Sequence, residues 1–196
     1  MIYIITLLSA FLFSSIPVGL IIAKLVKGID IRQIGSGNIG TANVYRALGF
    51  FWATLVLLLD MGKGFLGAYL GSQWPHHQAL GVIAGGIMAI LGHNYSVFLK
   101  FKGGKGIATS LGVLVFLDWR IALIGFAIWA VLSKLTKISA LGSLTGAAVI
   151  PVLMWLFHKP LEYLGFSIFA LLLALISHKE NIRRLLKKDE NSLSSQ

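Results

Sequence analysis

The sequence predicts an all-α integral membrane protein of seven transmembrane helices, with the N-terminus outside, the C-terminus cytoplasmic and some spans short or kinked. Three observations carry this. Hydrophobic residues make up 57% of the 196 and charged residues only 12%, against roughly 25% charged in soluble domains, and mean hydropathy is +0.84. Apolar runs suited to a hydrocarbon layer of ~30 Å recur along the chain between short polar loops. The 17 lysines and arginines fall in four loops, with the exceptions of Lys63, Arg120 and Lys159. At this length, 1–196 reads as a single membrane domain, too short to add a soluble one of ordinary size.

The first span, about 2–26, carries Pro17 near its middle, which predicts a kink. It has no basic start and no clear small-residue cleavage site, so it reads as a retained span and not a signal peptide. A polar loop, 27–45, follows. The second span, about 47–71, contains Asp60 and Lys63. Each would be costly alone in lipid, and three apart on a helix they read as a mutual ion pair facing the bundle. The loop 72–78 has no lysine or arginine, and the third span is about 79–99.

Residues 106–133 fit either one long helix or two short ones broken at Asp118-Trp119-Arg120. The positive-inside rule separates the two. A break keeps the basic loops 24–46, 100–105, 134–137 and 179–188 on one face, whereas a continuous helix sends the last two across the membrane. Two short spans, 106–117 and 121–133, are therefore expected, with Trp119 at the interface. Spans at about 140–157 and 161–177 complete the set, and Pro151 predicts another kink. The tail from His178 begins as a basic amphipathic helix. Ile182, Leu185 and Leu186 share one face, and Arg184, Lys187 and Lys188 are expected toward headgroups or water. No internal repeat supports an inverted-repeat transporter.

The net charge of +10 points to partners as well as topology. Basic residues confined to short loops between spans argue against nucleic acid and for a small anion or anionic headgroup. The absence of cysteine excludes disulfides, thiolate catalysis and Cys-based metal sites. Histidines and carboxylates do not recur on one face at ligand spacing, so neither metal nor cofactor is expected.

Two glycine-rich loops and one helix end carry the polar chemistry. Gly35, Gly37 and Gly40 spell G-x-G-x-x-G, but a membrane helix precedes them where a dinucleotide fold needs a strand. The glycines still allow backbone N–H groups to converge, and a helix starting after Gly40 adds free donors. Ser36, Asn38, Thr41 and Asn43 offer neutral donors, and Arg46 offers a forked cation suited to phosphate. The alternative for this loop is a capped interfacial turn. The second loop, Lys102-Gly103-Gly104-Lys105-Gly106, is not a Walker A motif, because glycine follows the lysine; its glycines would let a phosphate approach Lys105. His93 lies about two turns earlier and points toward that basic end. His178 and Asn181, three apart, share a helical face, and Arg183 and Arg184 follow them.

Residues 35–49 (GSGNIGTANVYRALG), 92–112 (GHNYSVFLKFKGGKGIATSLG) and 178–185 (HKENIRRL), with the DxxKG run at 60–64, resemble the cytoplasmic motifs of the bacterial membrane glycerol-3-phosphate acyltransferases that use acyl phosphate, the PlsY family. The resemblance covers essentially the whole chain. It implies transfer of a fatty acyl group from acyl phosphate to the 1-hydroxyl of glycerol 3-phosphate at the cytoplasmic face of the bacterial inner membrane. It also implies membrane lipid as surroundings and a soluble enzyme supplying acyl phosphate as a partner. By the same resemblance Lys105, Arg46, His178 and Asn181 would be catalytic. Ser36, Gly37, Asn38, Gly40, Thr41, Asn43, His93, Lys102, Gly103, Gly104, Gly106, Ser143 and Arg183 would bind substrate. An acyl phosphate is already activated, so direct attack by the hydroxyl needs no acyl-enzyme. Lys105 with backbone N–H groups would stabilise the oxyanion and leaving phosphate. The base is open among His178, His93 and the substrate's phosphate. The histidine–x4–aspartate pair of other glycerolipid acyltransferases is absent, since the fifth residues after the histidines are Gly81, Val82, Phe98, Tyr163 and Arg183. Two readings from other classes stand beside this one: a transporter for an organic anion or phospholipid, and a non-catalytic anchor recruiting a soluble enzyme.

Overall fold

The computed structural model describes residues 1–193, which form nine α-helices and two short 3-10 turns. Five helical stretches are long and apolar enough to cross a membrane: Ile2–Lys27, Phe50–Ser72, Gln78–Leu99, Ile107–Thr136 and Ser139–Leu156. A sixth combines α8 (Leu161–Ser177) with α9 (Lys179–Leu186), bent by 63°. Pro17 breaks the first span into α1 (Ile2–Ser14) and α2 (Val18–Lys27), whereas α7 (Ser139–Leu156) continues through Pro151. The polar loop has the expected helix start after Gly40. It contains a 3-10 turn, Ile31–Gln33, and a separate helix, α3 (Thr41–Leu48). Gly49, at φ +86°, separates α3 from α4 (Phe50–Ser72). Helix α5 (Gln78–Asn94) stops short of the expected end, and a second 3-10 turn, Val97–Leu99, leads into the basic loop.

The expected break in α6 (Ile107–Thr136) falls at Asp118, whose backbone is extended (φ −160°, ψ 105°). Its cause is local. The Asp118 carboxylate accepts the Arg120 backbone N–H at 2.9 Å, which is how an N-cap starts a new helix. Arg120 and Lys159 neutralise it at 3.0 and 2.5 Å, so the break is also tied to the turn between α7 and α8.

Membrane helices gain little from burying apolar surface against one another and pack through close backbone contact instead. Here α4 meets α5 and α6 at small residues. A Cβ on Gly71 would lie 1.8 Å from the Gly81 carbonyl oxygen, and one on Gly112 would lie 1.8 Å from that of Met61. The first contact holds the start of α5 on the end of α4, and the second brings the start of α6 onto α4 where Asp60 and Lys63 sit. Their oxygen and nitrogen are 2.7 Å apart and both side chains are 3% exposed, matching the expected buried pair. Lys63 also donates to the Ile16 carbonyl at 2.6 Å, in the break between α1 and α2. The Nδ1 of His93 lies 3.6 Å from the Asp60 carboxylate, a third member that spacing alone does not predict.

Candidate active site

A cavity of ≈ 170 Å³ lies where α3, the loop before α6, the start of α7 and the α8–α9 bend converge. Its polar wall includes Ser36, Asn38, Gly40, Thr41, Asn43, Arg46, His93, Lys105, Gly106, Ser143, His178 and Asn181. Leu111, Leu114, Phe126, Trp129, Ile150 and Leu171 supply an apolar wall from the spans. Segments from the beginning, middle and end of the chain therefore line one space.

Asn43 organises the first segment. Its amide nitrogen donates to the carbonyls of Ile31, Ile34 and Asn38 at 3.0, 2.9 and 2.9 Å, and its Oδ1 accepts the Ser36 N–H at 3.0 Å. Gly35, at φ +56°, is required beside it, because a Cβ there would come 2.4 Å from Asn43 Oδ1. The expectation of Asn43 as a ligand donor is thus corrected: its hydrogen-bonding capacity is spent on the loop. Asn38 accepts the Gly40 N–H at 2.9 Å, an Asx turn that launches α3. Thr41 Oγ1 is buried at the cavity without a protein partner.

An Asn43→Ala variant leaves several buried backbone groups unpaired and is expected to lose about 3 kcal/mol of stability. Thermal unfolding in detergent measures this, and Asn43→Asp, which cannot donate, should rescue little of it.

The second segment differs from its sequence reading. The Gly103 and Gly104 N–H groups donate to the carbonyls of Asn94 and His93 at 2.9 and 3.0 Å, so neither is available to an anion. A Cβ on Gly104 would meet His93 Nε2 at 2.0 Å, and one on Gly103 the His93 oxygen at 2.0 Å. These glycines serve close packing on the end of α5. Gly103, Gly104, Gly37 and the exposed Lys102 are not brought to the cavity wall. Lys105 is, and its ammonium donates to Asn181 Oδ1. Burial pulls its pKa down to about 8, with the Glu190 carboxylate opposing the shift and Arg184 and Arg46 adding to it. Helix α6 then starts at Ile107 without a side-chain cap. Its first-turn N–H groups have no intrahelical acceptor, and Ile107 and Ala108 line the cavity.

The third segment supplies His178 and Asn181 from the bend between α8 and α9. The His178 Nδ1 lies 2.9 Å from the Ala174 carbonyl. A carbonyl only accepts, so Nδ1 carries the proton and Nε2 the lone pair. Burial and the nearby Lys105 ammonium hold its pKa down to about 4, so the ring is neutral at physiological pH. The two arginines exchange their expected surroundings. Arg183 pairs with Glu180 at 2.9 Å with its side chain 70% exposed, while Arg184 turns inward to Glu190 at 3.1 Å.

Glu190 is the residue sequence reasoning missed. It lines the cavity with its side chain 3% exposed, accepting from Asn181 Nδ2 at 2.8 Å. The next residues hold Arg46, which donates to the carbonyls of Asn191 and Ser192 at 3.1 and 2.7 Å. Only the clustering of acids after a basic helix, Asp189-Glu190, hinted at this.

The family profile described as glycerol-3-phosphate acyltransferase matches residues 4–188. The chain belongs to the glycerol-3-phosphate acyltransferase family. Among curated members, a glycerol-3-phosphate acyltransferase of Thermus thermophilus is 44% identical over 193 residues, covering 96% of this chain and 94% of its own. One from Synechococcus sp. (strain JA-3-3Ab) is 41% identical over 187 residues, covering 93% and 89%. Among solved structures, PlsY, an integral membrane glycerol 3-phosphate acyltransferase, superposes in its glycerol 3-phosphate form with a TM-score of 0.90 at 36% identity, covering 97% of this chain and 94% of that one. Its lysophosphatidic acid form gives 0.88 at 35%. With these relatives and its apolar helices, the chain is an all-helical integral membrane protein of the PlsY family.

Proposed function

We propose that this family member transfers a fatty acyl group from acyl phosphate to the 1-hydroxyl of sn-glycerol 3-phosphate, giving lysophosphatidic acid and phosphate. The carrying observation is one cavity with a cationic, donor-rich wall from Arg46, Lys105 and the start of α6 and an apolar wall from the spans. That combination suits two phosphates and an acyl chain. The chain runs as seven spans, counting the halves of α6 on either side of Asp118 separately. Its N-terminus is outside and its C-terminus cytoplasmic. The support is the break itself together with the basic loops it gathers on one face. The site therefore faces the cytoplasm of a bacterial inner membrane, where a soluble enzyme can deliver acyl phosphate.

In this reaction the 1-hydroxyl oxygen attacks the acyl carbon and the bond from that carbon to the phosphate oxygen breaks. Lys105 and the α6 N–H groups stabilise the negative charge that develops there. Arg46 and Asn181, with Ser36, Thr41 and Ser143 alongside, hold glycerol 3-phosphate at attack distance. His178, neutral and donating through Nδ1 to Ala174, offers Nε2 as an acceptor that orients the bound glycerol 3-phosphate. An imidazolium beside Lys105 is disfavoured, as the depression of its pKa to about 4 expresses. The hydroxyl proton accordingly leaves on the departing phosphate. A His178→Asn variant that still binds substrate is expected to keep the wild-type pH–rate profile; a changed profile would make His178 the base.

The deciding experiment supplies labelled glycerol 3-phosphate to the purified protein with acyl phosphate, acyl-CoA or acyl carrier protein in parallel. Lysophosphatidic acid from acyl phosphate alone is the expected result. Product from a thioester alone overturns the donor, and no product from any donor returns the transporter reading.

A further inference from the structure

Helix α9 ends in a turn that sends the chain back over the cavity. The Asp189 N–H donates to the Arg184 carbonyl at 2.9 Å and the Lys188 N–H to that of Leu185 at 3.1 Å, the two bonds of a Schellman motif. Its left-handed position is held by Lys188, at φ +57°, where glycine is the usual occupant because a side chain is strained there. The reversed segment is then pinned at three places. Glu190 bridges Asn181 and Arg184, Arg46 takes the Asn191 and Ser192 carbonyls, and the Leu193 N–H donates to the Lys137 carbonyl at 2.6 Å. Two of the groups that make those bonds, Asn181 and Arg46, line the cavity and are positioned to hold a substrate anion. A carboxylate accepting charge-assisted bonds presents the same chemistry as a phosphate oxygen pair.

We propose that residues 189–193 form an autoinhibitory lid in which the Glu190 carboxylate and the carbonyls that follow it occupy, from within the chain, the anion site of Asn181 and Arg46, with Arg184 holding the lid shut from outside the cavity. The inference rests on the reading of this cavity as the glycerol 3-phosphate site. Substrate phosphate and the Glu190 carboxylate exclude each other from these groups, and the open lid is the binding-competent state. A closed fraction of about nine-tenths raises the apparent Kd for the anion roughly tenfold. The strained Lys188 keeps the closed lid from being permanent.

Two variants move binding in opposite directions. Glu190→Gln keeps the shape and removes the charge, so it tightens binding of glycerol 3-phosphate and inorganic phosphate by roughly three- to tenfold. Lys188→Gly relieves the strained turn, favours the closed lid and weakens binding by roughly threefold. A chain lacking residues 190–196 should behave as Glu190→Gln does. Equilibrium titration of the purified protein in detergent with labelled glycerol 3-phosphate, and separately with phosphate, reads these shifts without any acyl donor. Unchanged or weaker anion binding in both Glu190→Gln and the shortened chain would overturn the lid. Failure of the acyl phosphate donor assay would leave these titrations interpretable, so the two proposals fail separately.

Discussion

Lys105→Ala is expected to lower kcat/KM for glycerol 3-phosphate acylation by about 10³-fold, with the protein still folded. The ammonium is largely buried, its bond to Asn181 links two of the three cavity segments, and it stands beside the uncapped start of α6. In a partly buried setting a positioned cation is worth more to a developing anion than it is in water. The same lysine sets a pH limit. Its pKa of about 8 means that the cation is present below pH 8 and is lost as pH rises through it. The free enzyme's kcat/KM should therefore fall on the alkaline side, with its midpoint near pH 8. A bound phosphate favours the charged form, so kcat should fall at higher pH than kcat/KM. Lys105→Arg, charged throughout this range, should retain part of the rate and lose the alkaline limb. An alkaline limb unchanged in Lys105→Arg would assign it to another group. A recruiting anchor without chemistry would show neither effect.

Lys63→Met is expected to destabilise the fold by about 3–5 kcal/mol. The substitution leaves the Asp60 carboxylate buried beside His93 without its cation and frees the Ile16 carbonyl in the α1–α2 break. At roughly 2–4 °C per kcal/mol for a chain of this size, the unfolding midpoint should drop by about 10 °C. The double variant Asp60→Asn, Lys63→Met removes both charges together and should recover most of that loss. Thermal unfolding of the single and double variants in detergent measures the coupling. A double variant that regains stability but not turnover would show that the pair serves the reaction as well as the fold, consistent with Asp60 lining the cavity; recovery of both leaves it structural.

Much of the fold was legible in the sequence because lipid imposes severe constraints. A backbone that must satisfy its own hydrogen bonds in hydrocarbon can only be helical here, and basic loops mark where the helices end. The break at Asp118 was legible for the same reason, through the loop charges, and the Asp60–Lys63 pair through its spacing. Loop interiors were not. Gly103 and Gly104 look alike in sequence whether they cradle a phosphate or admit His93. Asn43 looks the same whether it faces a ligand or holds three carbonyls. Those alternatives are separated by where the neighbouring backbone runs.

By itself, then, the sequence determined a helical membrane protein whose Arg46, Lys105, His178 and Asn181 belong to the basic side, because apolar length and charge placement are local properties. Only the tertiary structure decided that these residues line one cavity, that Arg184 turns inward while Arg183 faces out, and that Glu190 meets them. Each of those outcomes depends on close helix contacts at glycine and on a chain reversal at Lys188, and contacts between residues as distant as Arg46 and Ser192 leave no periodic trace in the sequence.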